Sequence, residues 1–377
     1  MTEAPAPLSR WKKLGFAALM TVVSLALVEG ALRIAFGPPP PPVAVYNTYD
    51  EGGALFTEAG GSVRTGFVRV DPPPPFPASP SGPRCMVIGG SSVHGGSPDV
   101  PPSGEFPSLL EKQTGITTVN LGVPGHDSFD HREVVQAALR WPWTCMVLFI
   151  GHNDFGNTYF QTRYGDLSGG LQARARAGLE RSQLYVLLSR ALRPPAGTET
   201  RRFGLPQNQD GFMTETRWWA ALRYLRANTE QMLWMARRAG VAVVVVSPAS
   251  SLLEAPAQGA CSEPGCATLL FQQAMSLRRS DPSAAVALLK RARDTDRVPL
   301  RAPGAAIDAL REAAEASGAA WVDAEAGLPA EPDLPVPARS LFRDAVHFTA
   351  AGHQAMADLI APALKRAVES ASASSQP

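Results

Sequence analysis

Apolar runs alternate with amphipathic segments from residue 84 onward, and this alternation predicts the fold. The runs typical of buried strands are Cys85–Ile88, Thr117–Asn120, Cys145–Ile150, Val241–Ser247 and Ala320–Asp323. The segments with helical periodicity are Glu105–Gln113, Asp130–Arg140, Thr216–Ala239, Pro303–Ala316 and Ala350–Ala371. Such alternation is typical of a mostly parallel sheet that helices cover on both faces. We therefore expect an α/β protein, a three-layer α/β/α sandwich with about five parallel strands in flavodoxin-like order.

The N-terminal segment has a different pattern, because it is apolar on all sides. Leu14–Val28 contains no charge, and the apolar stretch continues to Phe36 around Glu29 and Arg33. This is about the 20 residues that a helix needs to cross the hydrocarbon core of a bilayer. Glu29 and Arg33 are four residues apart and could pair near the outer interface. We predict a transmembrane signal anchor over residues 14–36.

The charges before this segment predict its orientation. Arg10, Lys12 and Lys13 precede it, so the positive-inside rule keeps the N-terminus in the cytoplasm. The rest of the chain would then lie outside the cytoplasmic membrane, in the periplasm if the source is Gram-negative. A cleaved signal peptide is the alternative, because the charge-free core is short enough for one. We favour the uncleaved anchor, since no convincing cleavage site lies between Glu29 and Pro38.

Proline runs mark the connection to the main domain. Pro38–Pro42 and Pro72–Pro75 are near-homopolymers that favour stiff, extended backbone. The expected parts are a cytoplasmic N-terminus (1–13), the anchor (14–36), a Pro-rich linker and extended segment (37–83), a main domain (84–371) with insertions at about 159–214 and 266–296, and a disordered tail (372–377).

Both insertions contain helical patterns. The first has one at Arg181–Leu192, and the second has two helices that break at Asp281 and Pro282. The second insertion looks like a single tetratricopeptide-type hairpin. Because one such repeat cannot bury its apolar face alone, we expect a helical lid packed on the domain.

Charge and cysteine content restrict the partners and the compartment. The net charge is +1 and charged residues make up 18% of the chain, which does not indicate a nucleic-acid partner. Cys261 and Cys266 enclose a tight turn, and we predict a local disulfide there in an oxidising compartment. Cys85 and Cys145 each begin a strand. They could pair if the strands are neighbours, but two buried free thiols are the preferred interpretation.

Four short blocks carry candidate chemistry. They are Val87–Ser92 (VIGGSS), Asn120–Gly125 (NLGVPG), Gly151–Asp154 (GHND) and Asp344–His353 (DAVHFTAAGH). The first three follow predicted strands, so they would meet at the carboxyl edge of one sheet. The last offers a carboxylate and an imidazole. A serine hydroxyl needs a base, and the base needs an orienting partner, before the serine can attack an ester.

These blocks, in this order, resemble the SGNH hydrolases, the GDSL-type esterase and lipase superfamily, in a membrane-anchored form. The resemblance covers residues 84–371 and implies ester chemistry that requires no cofactor and no metal. Gly90 stands where the family has the aspartate of its Gly-Asp-Ser block. This difference leaves the serine assignment intact but removes one orienting side chain.

The resemblance implies roles for five residues. Ser91 matches the nucleophile, His347 the general base and Asp344 the carboxylate that orients it. The oxyanion hole would consist of the Ser91 and Gly125 backbone amides and the Asn153 side-chain amide. Such donors stabilise the negative charge of a tetrahedral intermediate.

Four further side chains are candidates for substrate binding. Ser92 also competes with its neighbour as nucleophile, although local hydrogen bonding is its preferred role. His94 and His152 belong to a group of histidines near the same blocks, whose spacing is not diagnostic of a metal site. Arg301 could bind a carboxylate or phosphate. A surface ion pair with Asp296 is the preferred interpretation for this arginine.

The sequence thus predicts a serine-dependent hydrolase acting on ester-linked acyl groups. Envelope O-acetyl glycans and lipid esters are both candidate substrates. An O-acyltransferase with the same three residues is one alternative, and a catalytically silent binding or assembly protein with this fold is another. The expected partners are the ester substrate and, through the N-terminal helix, the membrane.

Overall fold

The computed structural model describes residues 10–37, 55–66, 74–96, 99–160, 179, 182–192 and 213–374. Within them, a five-stranded parallel sheet forms the centre of the main domain, in the order β5-β4-β6-β7-β8. Its strands are β4 (Arg84–Gly89), β5 (Thr117–Asn120), β6 (Cys145–Phe149), β7 (Ala242–Val246) and β8 (Ala320–Val322). This confirms the five predicted strands and the flavodoxin-like order.

Helices cover both faces of the sheet, as predicted. Their bounds are α1 (Arg10–Phe36), α2 (Ser91–His94), α3 (Phe106–Thr114), α4 (Ser128–Ala138), α5 (His152–Phe160), α6 (Gln183–Leu192), α7 (Glu215–Arg238), α8 (Ala267–Leu277), α9 (Pro282–Thr295), α10 (Gly304–Ser317), α11 (Ala324–Gly327) and α12 (Ala350–Ser374). The side chains of β4 point alternately to the two faces of the sheet, and each face packs against its own layer of helices. Met86 and Ile88 pack in one core with α4, α7 and α10, whereas Cys85 and Val87 pack in another with α3 and α12.

The cysteines occupy two different environments. Cys85 lies opposite Cys145 in the β4–β6 register, and both are buried, free thiols. Burial raises the pKa of the Cys85 thiol well above its usual value. Cys261 and Cys266 are joined by a disulfide just before α8.

The second insertion forms the helical hairpin α8–α9, and its second helix begins at Pro282. The Asp281 side chain accepts a hydrogen bond from the Ala284 amide and so caps that helix. The hairpin buries Ala285 and Leu289 with residues of the main domain, which agrees with a lid packed on the domain. The first insertion falls mostly outside the described residues, which include only 159–160, 179, 182–192 and 213–214 of it.

Two small antiparallel sheets were not predicted. The segment before the main domain contains β1 (Phe56–Ala59), β2 (Ser62–Thr65) and β3 (Phe76–Pro77). A second pair, β9 (Ala330–Glu331) and β10 (Leu334–Pro337), precedes the last loop. These strands are too short to show a clear period of two in the sequence.

Candidate active site

Ser91 is the first residue of α2 and follows the carboxyl end of β4 directly. The turn between them requires glycine. A Cβ on Gly89 would lie 2.2 Å from a methyl carbon of Val93 and 2.4 Å from the Phe149 carbonyl oxygen. Because real Cβ atoms do not approach so closely, this glycine lets the chain bend sharply and presents Ser91 at the sheet edge.

A chain of hydrogen bonds connects Ser91, His347 and Asp344. Nε2 of His347 is 2.7 Å from Oγ of Ser91, and Nδ1 is 2.7 Å from Oδ2 of Asp344. An ionised carboxylate only accepts hydrogen bonds, so Nδ1 carries the proton and donates to Asp344. Nε2 is then unprotonated and accepts the hydrogen bond of the serine hydroxyl. The arrangement can therefore take a proton from Ser91.

The Asp344 carboxylate is stabilised in its charged form. Burial acts to raise its pKa, but hydrogen bonds from the His347 side chain and from the Val346 and His347 amides outweigh it. The pKa of Asp344 lies well below its usual range as a result. Both amides donate to Oδ1 at 2.9 Å, which leaves Oδ2 for the imidazole.

Two hydrogen bonds hold the loop that contains Asp344 and His347 against the edge of the sheet. Oγ of Ser92 donates to the Val346 carbonyl at 2.9 Å, and the Ser251 amide donates to the Ala345 carbonyl at 2.9 Å. Ser92 is buried, and its hydroxyl donates to the loop backbone, while the residue also lines the cavity beside Ser91.

The Asn153 side chain lies beside the glycine that precedes Ser91. Its Nδ2 donates to the His126 carbonyl at 2.7 Å. A side-chain amide has two N–H groups, so the second can serve an oxyanion. A Cβ on Gly90 would lie 2.6 Å from this nitrogen. A larger residue at this position would therefore have to shift the end of the Asn153 side chain.

Gly125 contacts Asn157, a residue that was not predicted from the sequence. Its φ of 76° is in the left-handed region, which glycine adopts without strain. Nδ2 of Asn157 donates to the Gly125 carbonyl at 2.9 Å and to Oδ2 of Asp127 at 2.9 Å. Asn157 lies four residues after Asn153, hence on the same face of α5. That spacing was the signal that could have identified it.

His152 connects two loops below the site. Its Nε2 pairs with the Ala249 carbonyl at 3.1 Å, and the Ala302 amide donates to Nδ1 at 3.1 Å. Burial lowers the pKa of His152 to about 3, so the ring is neutral. Both ring nitrogens thus bind backbone groups, and the ring also lines the cavity beside Ser91.

Arg301 is buried, and its guanidinium is engaged by backbone carbonyls and by Asp296. Its Nη1 donates to the carbonyl oxygens of Ser251 and Glu254, each at 3.0 Å. Its Nη2 lies 3.7 Å from Oδ2 of Asp296. The preferred ion pair with Asp296 is present, but in the interior instead of on the surface.

His94 is also buried, at the end of α2. A Cβ on Gly96 would lie 2.3 Å from its ring, which shows how closely this loop covers the histidine. The structure therefore packs His94 under the loop that contains Gly96.

Buried acids lie directly behind the candidate oxyanion hole. Oδ1 of Asp154 accepts a hydrogen bond from the Ser128 amide at 3.2 Å. Burial raises the pKa of Asp154 to about 6, against the hydrogen bonds from Ser128. Burial, with the nearby Glu133 and Asp154 charges, also raises the pKa of Asp130 well above its usual value. Asp130 and Asp154 thus lie at the start of α4 and the start of α5.

The cavity beside Ser91 is narrow. Its volume is about 10 Å³, which is room for roughly one water molecule. The residues that line it are Gly90, Ser91, Ser92, His126, His131, Phe149, Ile150, Gly151, His152 and Asn153. Burial lowers the pKa of His131 to about 3, so this wall is uncharged at neutral pH.

Comparison with known proteins decides the family. The model of the GDSL-like lipase/acylhydrolase family matches residues 87–355, more than half of the chain. The chain belongs to this family. As a GDSL-like acylhydrolase it is a serine esterase or acylhydrolase, as predicted.

Solved structures of similar fold include a GDSL-like lipase from Bacteroides thetaiotaomicron, at 13% identity and a TM-score of 0.37. That match covers 76% of this chain and 88% of the lipase. A carbohydrate acetylesterase family member from Sinorhizobium meliloti matches at 14% identity and a TM-score of 0.35, over 76% of this chain and 100% of that protein. A comparison with curated proteins gave no match.

Proposed function

We propose that this GDSL-like acylhydrolase cleaves small ester-linked acyl groups through Ser91. The observation that carries the proposal is the 2.7 Å contact between Ser91 Oγ and His347 Nε2, with Asp344 on the other ring nitrogen. His347 accepts the Ser91 proton as the hydroxyl attacks the ester carbonyl. The imidazolium, stabilised by Asp344, then gives that proton to the leaving alcohol.

The second half of the reaction reverses these roles. The acyl group is now bonded to Ser91 Oγ, and His347 removes a proton from water as the water attacks. The serine regains its proton and the acid leaves. The amides of Ser91, Gly125 and Asn153 stabilise the oxyanion in both halves, and removal of one such donor costs about 3 kcal/mol of barrier in comparable sites.

The pocket beside Ser91 is lined mainly by glycine and polar residues, with Phe149 and Ile150 as its apolar members. This lining favours a short acyl group such as acetyl over a long hydrocarbon chain. Candidate substrates are therefore O-acetyl groups, on envelope glycans or on lipids. We also propose that α1 anchors the domain on the outer side of the cytoplasmic membrane, because α1 is long and apolar enough to cross a bilayer.

Turnover of p-nitrophenyl esters tests this proposal. The full chain in detergent should hydrolyse the acetate ester at least tenfold faster than the octanoate ester. Ser91→Ala should abolish both activities. Ser92→Ala is the matched control and should keep measurable turnover. Wild-type protein that does not hydrolyse the acetate, or a Ser91→Ala variant that does so at the wild-type rate, would overturn it.

A further inference from the structure

The C-terminal end of α1 contacts the C-terminal end of α7. A Cβ on Gly37 would lie 2.8 Å from ring atoms of Trp234, so the chain leaves α1 directly against this indole. Nη1 of Arg238 lies 3.3 Å from the Ile34 carbonyl and 3.2 Å from the Ala35 carbonyl. These are among the last carbonyls of α1, where a cation is favourable.

A second contact fixes α1 from the side. The Glu29 carboxylate accepts hydrogen bonds from the Gln183 and Leu184 amides, at 2.8 and 3.0 Å, and from Ser182 Oγ at 2.8 Å. It also pairs with Arg33 Nε at 2.6 Å, as the sequence predicted. The carboxylate thereby caps the N-terminus of α6. Together with the contact between Gly37 and Trp234, these hydrogen bonds fix the orientation of α1 relative to the domain.

These contacts place one end of the domain at the membrane. A span of about 20 residues from Leu14 ends near Arg33. Gly37 is four residues further, or about 6 Å along a helix. With α1 in a bilayer, the C-terminal end of α7 would lie at the headgroup layer, where tryptophan is typical. Apart from its contacts near this end, α1 extends away from the domain and, over its whole described length, buries no residue.

Ser91 lies at the opposite end. α7 ends at Arg238 and β7 begins at Ala242, so the membrane end of α7 is at the amino edge of the sheet. Ser91 follows β4 at the carboxyl edge, and the six residues of β4 extend for about 20 Å. α7 itself has 24 residues and is about 36 Å long. The nucleophile is therefore separated from the headgroup layer by the thickness of the domain.

We infer that the candidate active site opens away from the bilayer and acts on esters of water-soluble or polymer-borne alcohols, not on ester lipids of the membrane that holds the anchor. The inference rests on the proposed function of Ser91 and on the proposed anchor. It selects between the two substrate classes, because a lipid acetyl group in the same bilayer lies at the wrong end of the domain.

Two cysteine variants on one helix test the orientation independently of catalysis. Arg237 and Thr216 are exposed near opposite ends of α7, and the native cysteines are buried or in a disulfide. Full-length Arg237→Cys and Thr216→Cys proteins would carry a fluorophore in nanodiscs whose lipids bear headgroup spin labels. We expect at least threefold stronger quenching at residue 237 than at 216. Equal quenching, or stronger quenching at 216, would overturn the orientation.

The substrate class is tested with one acyl group in two settings. The full chain in nanodiscs is given O-acetylated xylo-oligosaccharide in solution, or 1-palmitoyl-2-acetyl-phosphatidylcholine in the same disc. We expect at least tenfold faster acetate release from the sugar, and faster release from the lipid would overturn the inference. Turnover of p-nitrophenyl acetate, absent in Ser91→Ala, reports on the chemistry. If that turnover fails, the proposed function and this substrate class fall together, while the quenching result still decides the orientation.

Discussion

The side-chain nitrogen of Asn153 occupies the position next to Gly90 that a larger residue would need, since a Cβ on Gly90 would lie 2.6 Å from Nδ2. Asn153 also donates to the His126 carbonyl. A side chain at residue 90 would therefore have to move the Asn153 amide from its present position, and this leads to a first test.

Gly90→Ala should displace the Asn153 amide and lower kcat for p-nitrophenyl acetate by about 100-fold, near the cost of one lost oxyanion donor. Gly82→Ala is the matched control, because nothing lies within 4 Å of a Cβ there. We expect Gly82→Ala to keep the wild-type rate. A Gly90→Ala enzyme that folds normally and has an unchanged kcat would show that Asn153 does not serve the oxyanion.

Asp344→Asn should lower kcat by roughly 100-fold or more. The NH2 group that replaces Oδ2 cannot accept the hydrogen bond from His347 Nδ1, so the imidazole would take the wrong tautomer. Its Oδ1 can still accept from the Val346 and His347 amides, so the loop should keep its shape. Asp308→Asn, on an exposed carboxylate that pairs with Arg311 in α10, provides the control. Equal rates for these two variants would remove Asp344 from the mechanism.

Asn157→Ala should affect the rate less than the two changes above. It removes the donor to the Gly125 carbonyl, so the oxyanion amide of Gly125 loses its support but not its N–H group. We expect about a tenfold lower kcat, which is about 1.4 kcal/mol of barrier, with little change in KM. A larger effect on KM than on kcat would indicate substrate binding instead of positioning.

Asp154 should make the protein less stable as the pH rises. Its pKa is raised from 3.8 to about 6 in the folded chain, so the folded state binds more protons between these values and stability falls with increasing pH. From pH 5 to pH 8 this amounts to about 1.4 kcal/mol. Asp154→Asn should remove that part of the decline, as measured by urea unfolding at both pH values. Asp308→Asn, on an exposed helix face, should leave the decline unchanged.

The sheet could be predicted because four of its five strands are compact apolar runs and the chain alternates strand with helix patterns. The first three chemical blocks could be located because they follow predicted strands, which parallel topology gathers at one edge. The roles of Ser91, Asn153, Asp344 and His347 came from the family resemblance, and the structure connects Ser91, His347 and Asp344 by hydrogen bonds.

The remaining features depend on contacts between distant residues, which a single sequence does not show. Arg301 reads as an available cation in the sequence, yet its guanidinium is buried on backbone carbonyls. Ser92 reads as a second hydroxyl at the site, yet it binds the carbonyl of Val346, 254 residues away. The contact of Trp234 with the end of the anchor has no sequence signal at all.

Covalent labelling of the full chain with a fluorophosphonate, followed by peptide mass mapping, tests the assignment of the nucleophile most directly. We predict one adduct, on Ser91, that is lost in Ser91→Ala and kept in Ser92→Ala. We also expect at least tenfold slower labelling in His347→Ala, since Nε2 would no longer take the serine proton. Labelling on Ser92, or labelling that persists in Ser91→Ala, would contradict the assignment of the nucleophile.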